Sequence, residues 1–246
     1  MRGAPVQRAV LPPTPTARRL TVERLSRFED GEELSALVWR AGPGWRMVSS
    51  AVLGGGVGER FWVLNAQVCH GYRRLDPAEH LREVAAAAGL TGEGVGLMTA
   101  ADVADHAHAG DGGVEAVVTA GVDVRGWAAA PAAPAGPPGA YGSFAPGTIN
   151  VLATIPAALG DAALVNAVAT ATEAKVQALV EAGLDCSGTP TDAVCVTARV
   201  PRPGEDAHAF AGPRSLWGAR LARAVHHAVL AALPGPTAPP AGIRER

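Results

Sequence analysis

"TINVLATIPAALGDAALVNAVATATEAKVQALVEAGLDCSGTPTDAVCVTARV", Thr148 to Val200, is the stretch that decides the fold. Its opening words, "TINVLATIP", are apolar and rich in β-branched residues, which predicts a buried strand. Helix formers then run from Asp161 to Ala182 and stop at Gly183, where a glycine can close the last turn. "DAVCVTARV" returns to strand composition. A strand, a helix and a strand in that order predict a sheet with helices packed on it. The fold class is therefore α/β, with a mixed α+β arrangement as the alternative.

The helix in the middle does not have one dry and one wet side. At about 100° per residue, Leu164, Val165, Val168, Val176 and Leu179 gather into one apolar arc, and Lys175 falls inside it with Thr172 beside it. Asn166, Thr170, Glu173 and Gln177 line the opposite face. Lys175 has a plain reading, in which the stem lies along the core and the ammonium snorkels to water. The polar face has one too, as the surface that meets solvent. Against both stands the turn "CSGTPTD", which brings Ser187, Thr189, Thr191 and Asp192 to the junction before the next strand. Sites in α/β proteins form at such junctions.

Working outward, the same rhythm occurs earlier in the chain. "ELSALVWR", "WRMVSSAVLGG" and "RFWVLNAQV" read as strands. A helix follows, with Asp76 at its cap, Pro77 in the first turn, Glu79 at the capping-box position and Gly89 beyond its end. "GVGLMTAADV" and "GVEAVVTAGV" come next. The echo between the two parts hints at related halves, too faintly to count as a repeat. Between them lies "GWAAAPAAPAGPPGAYGSFAPG", Gly126 to Gly147, whose prolines forbid regular structure. "PRSLWGARLARAVHHAVLAAL" closes the chain as an amphipathic helix. One domain over residues 21–233, containing the Pro/Ala-rich loop 126–147, is expected between disordered tails at 1–20 and 234–246.

The chain has 246 residues, of which 48 % are hydrophobic and 4 % aromatic, so alanine, valine and leucine must fill the core. Its net charge of −2, from 21 basic and 23 acidic residues, offers no basic stripe for nucleic acid or an anionic membrane. The apolar runs fall short of about 18 residues, too short to span a bilayer. The N-terminus has prolines where a signal peptide needs an unbroken apolar core. Three cysteines in no metal-like spacing read as reduced thiols in a cytoplasmic protein.

Other motifs carry less. "LGGGVGER", Leu53 to Arg60, matches no phosphate-loop pattern and precedes a strand, so it reads as a hairpin turn, with a backbone surface against a ligand as the alternative. "DVADHAHAGD" offers Asp102, Asp105, His106, His108 and Asp111, without the spacing of a helical zinc site; a solvated loop is the better reading, and no metal is expected. Cys69 and His70 are neighbours on a strand and so point apart. His226 and His227 sit on the last helix as structural or exposed residues.

Several words in order then resemble the adenosylcobinamide amidohydrolase family of corrinoid salvage. They are "LNAQV", "GVGLMTAADV", "VEAVVTAGV", "PGTIN", "DAALVNAVATATEAKVQAL", "SGTPTDAV" and "GPRSLWGARLARAVH", and together they run from about Leu34 to Leu233. The Ala/Pro-rich loop and both tails fall outside the likeness. The resemblance implies hydrolysis of the amide joining a corrin propionyl arm to 1-aminopropan-2-ol, giving adenosylcobyric acid and the amino alcohol. It implies a small-molecule corrinoid substrate and no further cofactor; the charge and hydropathy patterns above add the expectation of no nucleic acid and no membrane. The oligomeric state stays open between monomer and homodimer. A corrinoid-binding module without catalysis is the rival, and so is an amide hydrolase of the same fold with another substrate.

The residue roles come from chemistry. Amide hydrolysis needs an activated nucleophile, stabilisation of the oxyanion and a proton for the leaving amine. No nucleophile elbow or catalytic triad is evident in the sequence, so a carboxylate that activates water is expected. Glu173 is the first choice of base and Asp192 the second, with Lys175 at the oxyanion or the amine. Glu173 and Lys175 are two apart on a helix and face different sides, so only one of them can be central. Asn65, Asn150, Asn166, Thr170, Thr172 and Thr189 would bind the corrin's side-chain amides.

Overall fold

A computed structural model describes residues 20–131 and 147–234. The expectations of disorder in the two tails and in most of the Pro/Ala-rich loop fall on residues outside that range. Leu20, assigned to a tail, is buried, and its N–H reaches Glu115 Oε2 at 2.8 Å.

The described residues form ten strands and three helices. The strands are β1 (Glu23–Glu29), β2 (Glu32–Trp39), β3 (Trp45–Ser49), β4 (Gly56–Glu59), β5 (Trp62–Gln67), β6 (Gly94–Thr99), β7 (Ala107–Asp111), β8 (Val114–Val122), β9 (Gly147–Ala158) and β10 (Ala193–Arg199). The helices are α1 (Pro77–Ala87), α2 (Asp161–Glu181) and α3 (Leu216–Ala232). Two sheets result, one in the order β1-β2-β5-β6 and one in the order β4-β3-β10-β9-β8-β7. Both are mixed, and each contains one parallel pair of adjacent strands, β5/β6 and β9/β10. A parallel pair needs a crossover, which α1 and α2 supply.

Period-two alternation assembles these parts into four layers. In β2, Ala36 and Val38 face α1 together with Leu64 of β5 and Leu81 and Val84 of the helix. Leu37 and Trp39 face the other way, against Met47, Val117, Leu152 and Cys195 of the larger sheet. That sheet's opposite side (Val118, Val151, Ala153, Val196) packs on α2 and α3 through Leu164, Leu179, Leu221 and Val225. The layers thus run α1, small sheet, large sheet, then α2 with α3. Small side chains let them approach closely; on α2 the facing residues include Ala163, Ala167, Ala171, Ala174 and Ala178.

The sequence reading holds for every helix, with local differences. Asp76 precedes α1 without capping it, because its carboxylate takes Arg74 instead. Ser215 caps α3, accepting from the Gly218 N–H at 3.1 Å. "LGGGVGER" runs from the end of the β3–β4 hairpin connection into β4 itself, so half of it is strand rather than turn. Its Gly54 lies so close to the Gly94 carbonyl that a Cβ there would collide with backbone. The Pro/Ala-rich segment does not divide the chain: it joins β8 to β9, which pair side by side. Its first residue, Gly126, exchanges backbone hydrogen bonds with the turn after α2, donating to Gly188 O and accepting from Ser187 N, both at 3.0 Å.

Candidate active site

The C-terminal ends of β5 and β6 point at the N-terminal ends of β9 and β10, and a cleft of about 790 Å³ opens between them. Its walls come from the loop after β5 (Cys69, Tyr72, Arg73), from the end of β6 (Met98, Thr99), from Ser50–Val52 after β3, and from Gly147, Thr148 and Thr191–Ala193. That is ordinary volume for a small-molecule site.

The most unusual electrostatic feature of the site stands at the β9–β10 wall. Lys175 is 5 % exposed, and its Nζ donates to Asp192 Oδ2 in a buried ion pair. Asp192 itself lines the cleft. Its Oδ1 accepts from the Ile149 N–H at 2.8 Å and from Thr189 Oγ1 at 2.5 Å, and its Oδ2 also accepts from the Thr189 N–H at 3.2 Å. Four donors fill the places a carboxylate has for them. Beside it, Thr148 Oγ1 lies 2.6 Å from Thr191 Oγ1, which donates to the Gly147 carbonyl at 3.0 Å. Gly188 closes over the ion pair; φ there is +150° and a side chain would overlap both Asp192 Oδ2 and Lys175 Nζ. The polar turn read from "CSGTPTD" is therefore a cradle for one carboxylate.

The residues named from sequence separate into three groups. Lys175, Asp192 and Thr189 come together at the β9–β10 wall, and of the three Asp192 lines the cleft. Asn65 and Asn150 come together elsewhere: both are buried, Asn150 Nδ2 donates to Asn65 Oδ1 at 2.8 Å and to the Met98 carbonyl at 3.1 Å, and Asn65 Nδ2 donates to Thr119 at 2.9 Å. They tie the two sheets together behind the cleft wall. The third group lies on other faces of α2. Glu173, Thr172 and Asn166 are exposed, with Thr172 bonded back to the Val168 carbonyl at 2.9 Å, and Thr170 is buried and donates to the Ala211 carbonyl at 2.9 Å. The oddity of α2 is thus resolved on its dry side: Lys175 does not snorkel, it is held in the core by Asp192.

Sequence reasoning overlooked Tyr72 and Arg73. A signal was available: "VCHGYRRLD" is a polar run between a buried strand and a punctuated helix, which is where a βα loop carries function. Cys69 and His70 follow β5 in this loop rather than lying on a strand, and they still face apart. Cys69 lines the cleft, and His70 lines a neighbouring cleft of about 730 Å³. Cys195 is buried, and burial pushes its thiol up to about 12, which removes it as a nucleophile. His106 and His108 have separate partners, the Val103 carbonyl at 3.1 Å and Glu115 at 3.0 Å. Among the described residues, no helix is long and apolar enough to cross a membrane.

With this geometry in hand, comparison with known proteins is specific. Residues 20–238 match the family model described as adenosylcobinamide amidohydrolase. A protein of that name from Methanosarcina mazei is 35 % identical over 147 residues, 60 % of this chain and 66 % of its own length. Another of that name, from Halobacterium salinarum, is 41 % identical over 88 residues, 36 % of each chain. The chain thus spans just under two thirds of the first relative and about a third of the second.

Proposed function

This chain belongs to the adenosylcobinamide amidohydrolase family, and we propose that it hydrolyses the aminopropanol amide of adenosylcobinamide to adenosylcobyric acid and 1-aminopropan-2-ol. The observation that carries the reading is the buried Lys175–Asp192 pair on the wall of a cleft large enough for the amide arm and an edge of the corrin. A carboxylate held by fixed donors and backed by a buried cation is a preorganised electrostatic arrangement, which water alone does not offer.

Asp192, not Glu173, is the base in this reading, because Glu173 is exposed on another face of α2. Of Asp192's four donors, the Thr189 hydroxyl is the one that turns away at the cost of a single rotation, leaving Oδ1 to a water molecule. That water loses a proton to Asp192 as it attacks the amide carbon. Lys175 Nζ has two further N–H bonds, and its charge offsets the negative charge that builds on the carbonyl oxygen. The reaction consumes water and needs no further cofactor.

Incubation with adenosylcobinamide and no nucleotide, followed by mass spectrometry of the corrinoid, tests this directly. The expected product has lost aminopropanol and gained the elements of water. Bound but unchanged cobinamide would make the chain a corrinoid-binding module, and the absence of both binding and turnover would refute the assignment.

A further inference from the structure

Amide hydrolysis stalls unless the departing nitrogen is protonated. In the reading above Asp192 takes the water's proton and Lys175 serves the carbonyl oxygen, which leaves the amine's proton without an assigned source. The opposite wall of the cleft holds a chain of groups that no reading above uses. Tyr72 lines the cleft, and its Oη lies 3.1 Å from Nδ1 of His80 on α1. His80 is nearly sealed from solvent, and its Nε2 lies 2.9 Å from Glu29 Oε1 at the end of β1. The other Glu29 oxygen accepts from Arg27 Nε at 2.9 Å, and Arg27 is itself anchored on the Ser35 and Gln67 carbonyls. The Tyr72 and His80 rings are inclined by only 12°, with centroids 5.5 Å apart. A carboxylate thus fixes a buried imidazole, and that imidazole meets a hydroxyl at the cleft. This is the logic of a catalytic triad with tyrosine at its head.

We propose that Tyr72 is the general acid that protonates the departing amine, with Glu29 and His80 as the positioning residues that aim and refill it. The inference rests on the amide-hydrolysis reading and extends it to a second wall of the same site. When His80 carries both protons, Nε2–H donates to Glu29 and Nδ1–H donates to Tyr72 Oη, which turns the tyrosine's own proton toward the cleft. As the tetrahedral intermediate collapses, the C–N bond breaks and its electron pair stays on nitrogen. Nitrogen takes the Tyr72 proton, Oη takes the Nδ1 proton of His80, and His80 remains neutral on Glu29. The proton that the attacking water gave up restores it through solvent.

The surroundings keep the phenol protonated, and a proton passed from His80 as Oη gives its own away avoids the buried phenolate they disfavour. Burial is the main cause that raises the Tyr72 pKa; Arg74 opposes it, and Asp76, Glu29 and Glu83 add to it, so the phenol keeps its proton at neutral pH. The opposing charge of Arg74 is shared with both Asp76 and Glu83 through four hydrogen bonds between 2.6 and 3.0 Å.

Two substrates separate a general acid from a residue that merely packs. On adenosylcobinamide, Tyr72→Phe should lower kcat about 10²- to 10⁴-fold with little change in KM. On the 4-nitrophenyl ester of the same propionyl arm, whose leaving group departs unprotonated, Tyr72→Phe should stay within a few-fold of the unsubstituted protein. Glu29→Gln should reduce turnover of the amide, shift the high-pH limb of its pH–rate profile, and spare the ester. Near-normal amide turnover by Tyr72→Phe, or equal loss on both substrates, would overturn the proposal while leaving the hydrolase reading intact. If the unsubstituted protein turns over neither substrate, the hydrolase reading fails, and the relay is then judged by NMR. The chain has two tyrosines, so the Tyr72 ¹³Cζ resonance is readily assigned. It should move when His80→Gln or Glu29→Gln alters the hydrogen bond at Oη; a resonance that ignores both substitutions would remove the relay.

Discussion

Gly188→Ala is the substitution that most directly interrogates the cradle around Asp192. Two costs arise together. Glycine holds φ = +150° at this position, and a non-glycine residue forced into such a region costs about 1–3 kcal/mol. The new methyl would also overlap Asp192 Oδ2 and Lys175 Nζ, the ends of two flexible side chains, so the backbone can stay while the ion pair gives way. Breaking a buried pair outright costs about 3–5 kcal/mol, and here the partners separate only partly. The sum is about 3–5 kcal/mol, a large share of an ordinary domain's stability. Gly183→Ala is the matched control: φ is +78°, a Cβ there meets nothing within 4 Å, and only the left-handed backbone cost of about 1–2 kcal/mol applies. Urea denaturation of both variants measures the difference, read from the shift in midpoint at constant m. Turnover of adenosylcobinamide should fall at least about tenfold in Gly188→Ala and stay near normal in Gly183→Ala. If the two variants lose the same stability and the same activity, Gly188 serves the backbone only, and the close packing of the turn onto the ion pair has no functional meaning.

Three further substitutions test the polar residues of α2 and the carboxylate it meets. Lys175→Met removes the cation but keeps the stem's volume, leaving Asp192 buried without its ion-pair partner. Stability should drop by about 3–5 kcal/mol and kcat by about 10²- to 10³-fold. Adding Asp192→Asn removes the unpaired charge, so the double variant should recover stability in thermal unfolding but none of the activity; recovery of turnover would exclude Asp192 as the base. Glu173→Gln, on the exposed face, should leave kcat within a few-fold, and a loss greater than about tenfold in steady-state assays would bring that face back into the mechanism.

What the sequence made legible follows from the range of the interactions involved. The strand–helix–strand unit over Thr148–Val200 was readable because the period of each element is local, and so was the anomaly at Lys175. Asp192 was readable as a candidate base but not as the partner of Lys175, since the loop geometry that folds it back onto α2 depends on Gly188 and on the Ile149 N–H of a neighbouring strand. The strands β1, β4 and β7 gave little signal. Each lies at a sheet edge, and their residues are largely exposed or half-buried and include charges and glycines, which blunt an edge but also hide it from an apolar pattern. Asn65 and Asn150 were read from the sequence as binders of the substrate's side-chain amides. That they instead pair with each other across two sheets is a fact of tertiary packing, which one-dimensional spacing does not contain.

Tyr72 shows the same limit from the other side. Its neighbour in the chain, Arg74, is absorbed by Asp76 and Glu83, whereas the groups that give Tyr72 its chemistry come from α1 and from the end of β1. A site built in this way divides its labour between layers. The large sheet holds the Asp192 carboxylate by the Ile149 N–H, the turn at Thr189 and a helix lysine, and the small sheet and α1 hold the tyrosine by a buried histidine. The cleft is where the two meet, at opposite ends of the two parallel strand pairs. The proposed mechanism requires an amide bound there to turn one face toward Asp192 and its nitrogen toward Tyr72. On the reading proposed above, the two proton transfers of hydrolysis then fall to separate groups, the water's proton to Asp192 and the amine's from Tyr72.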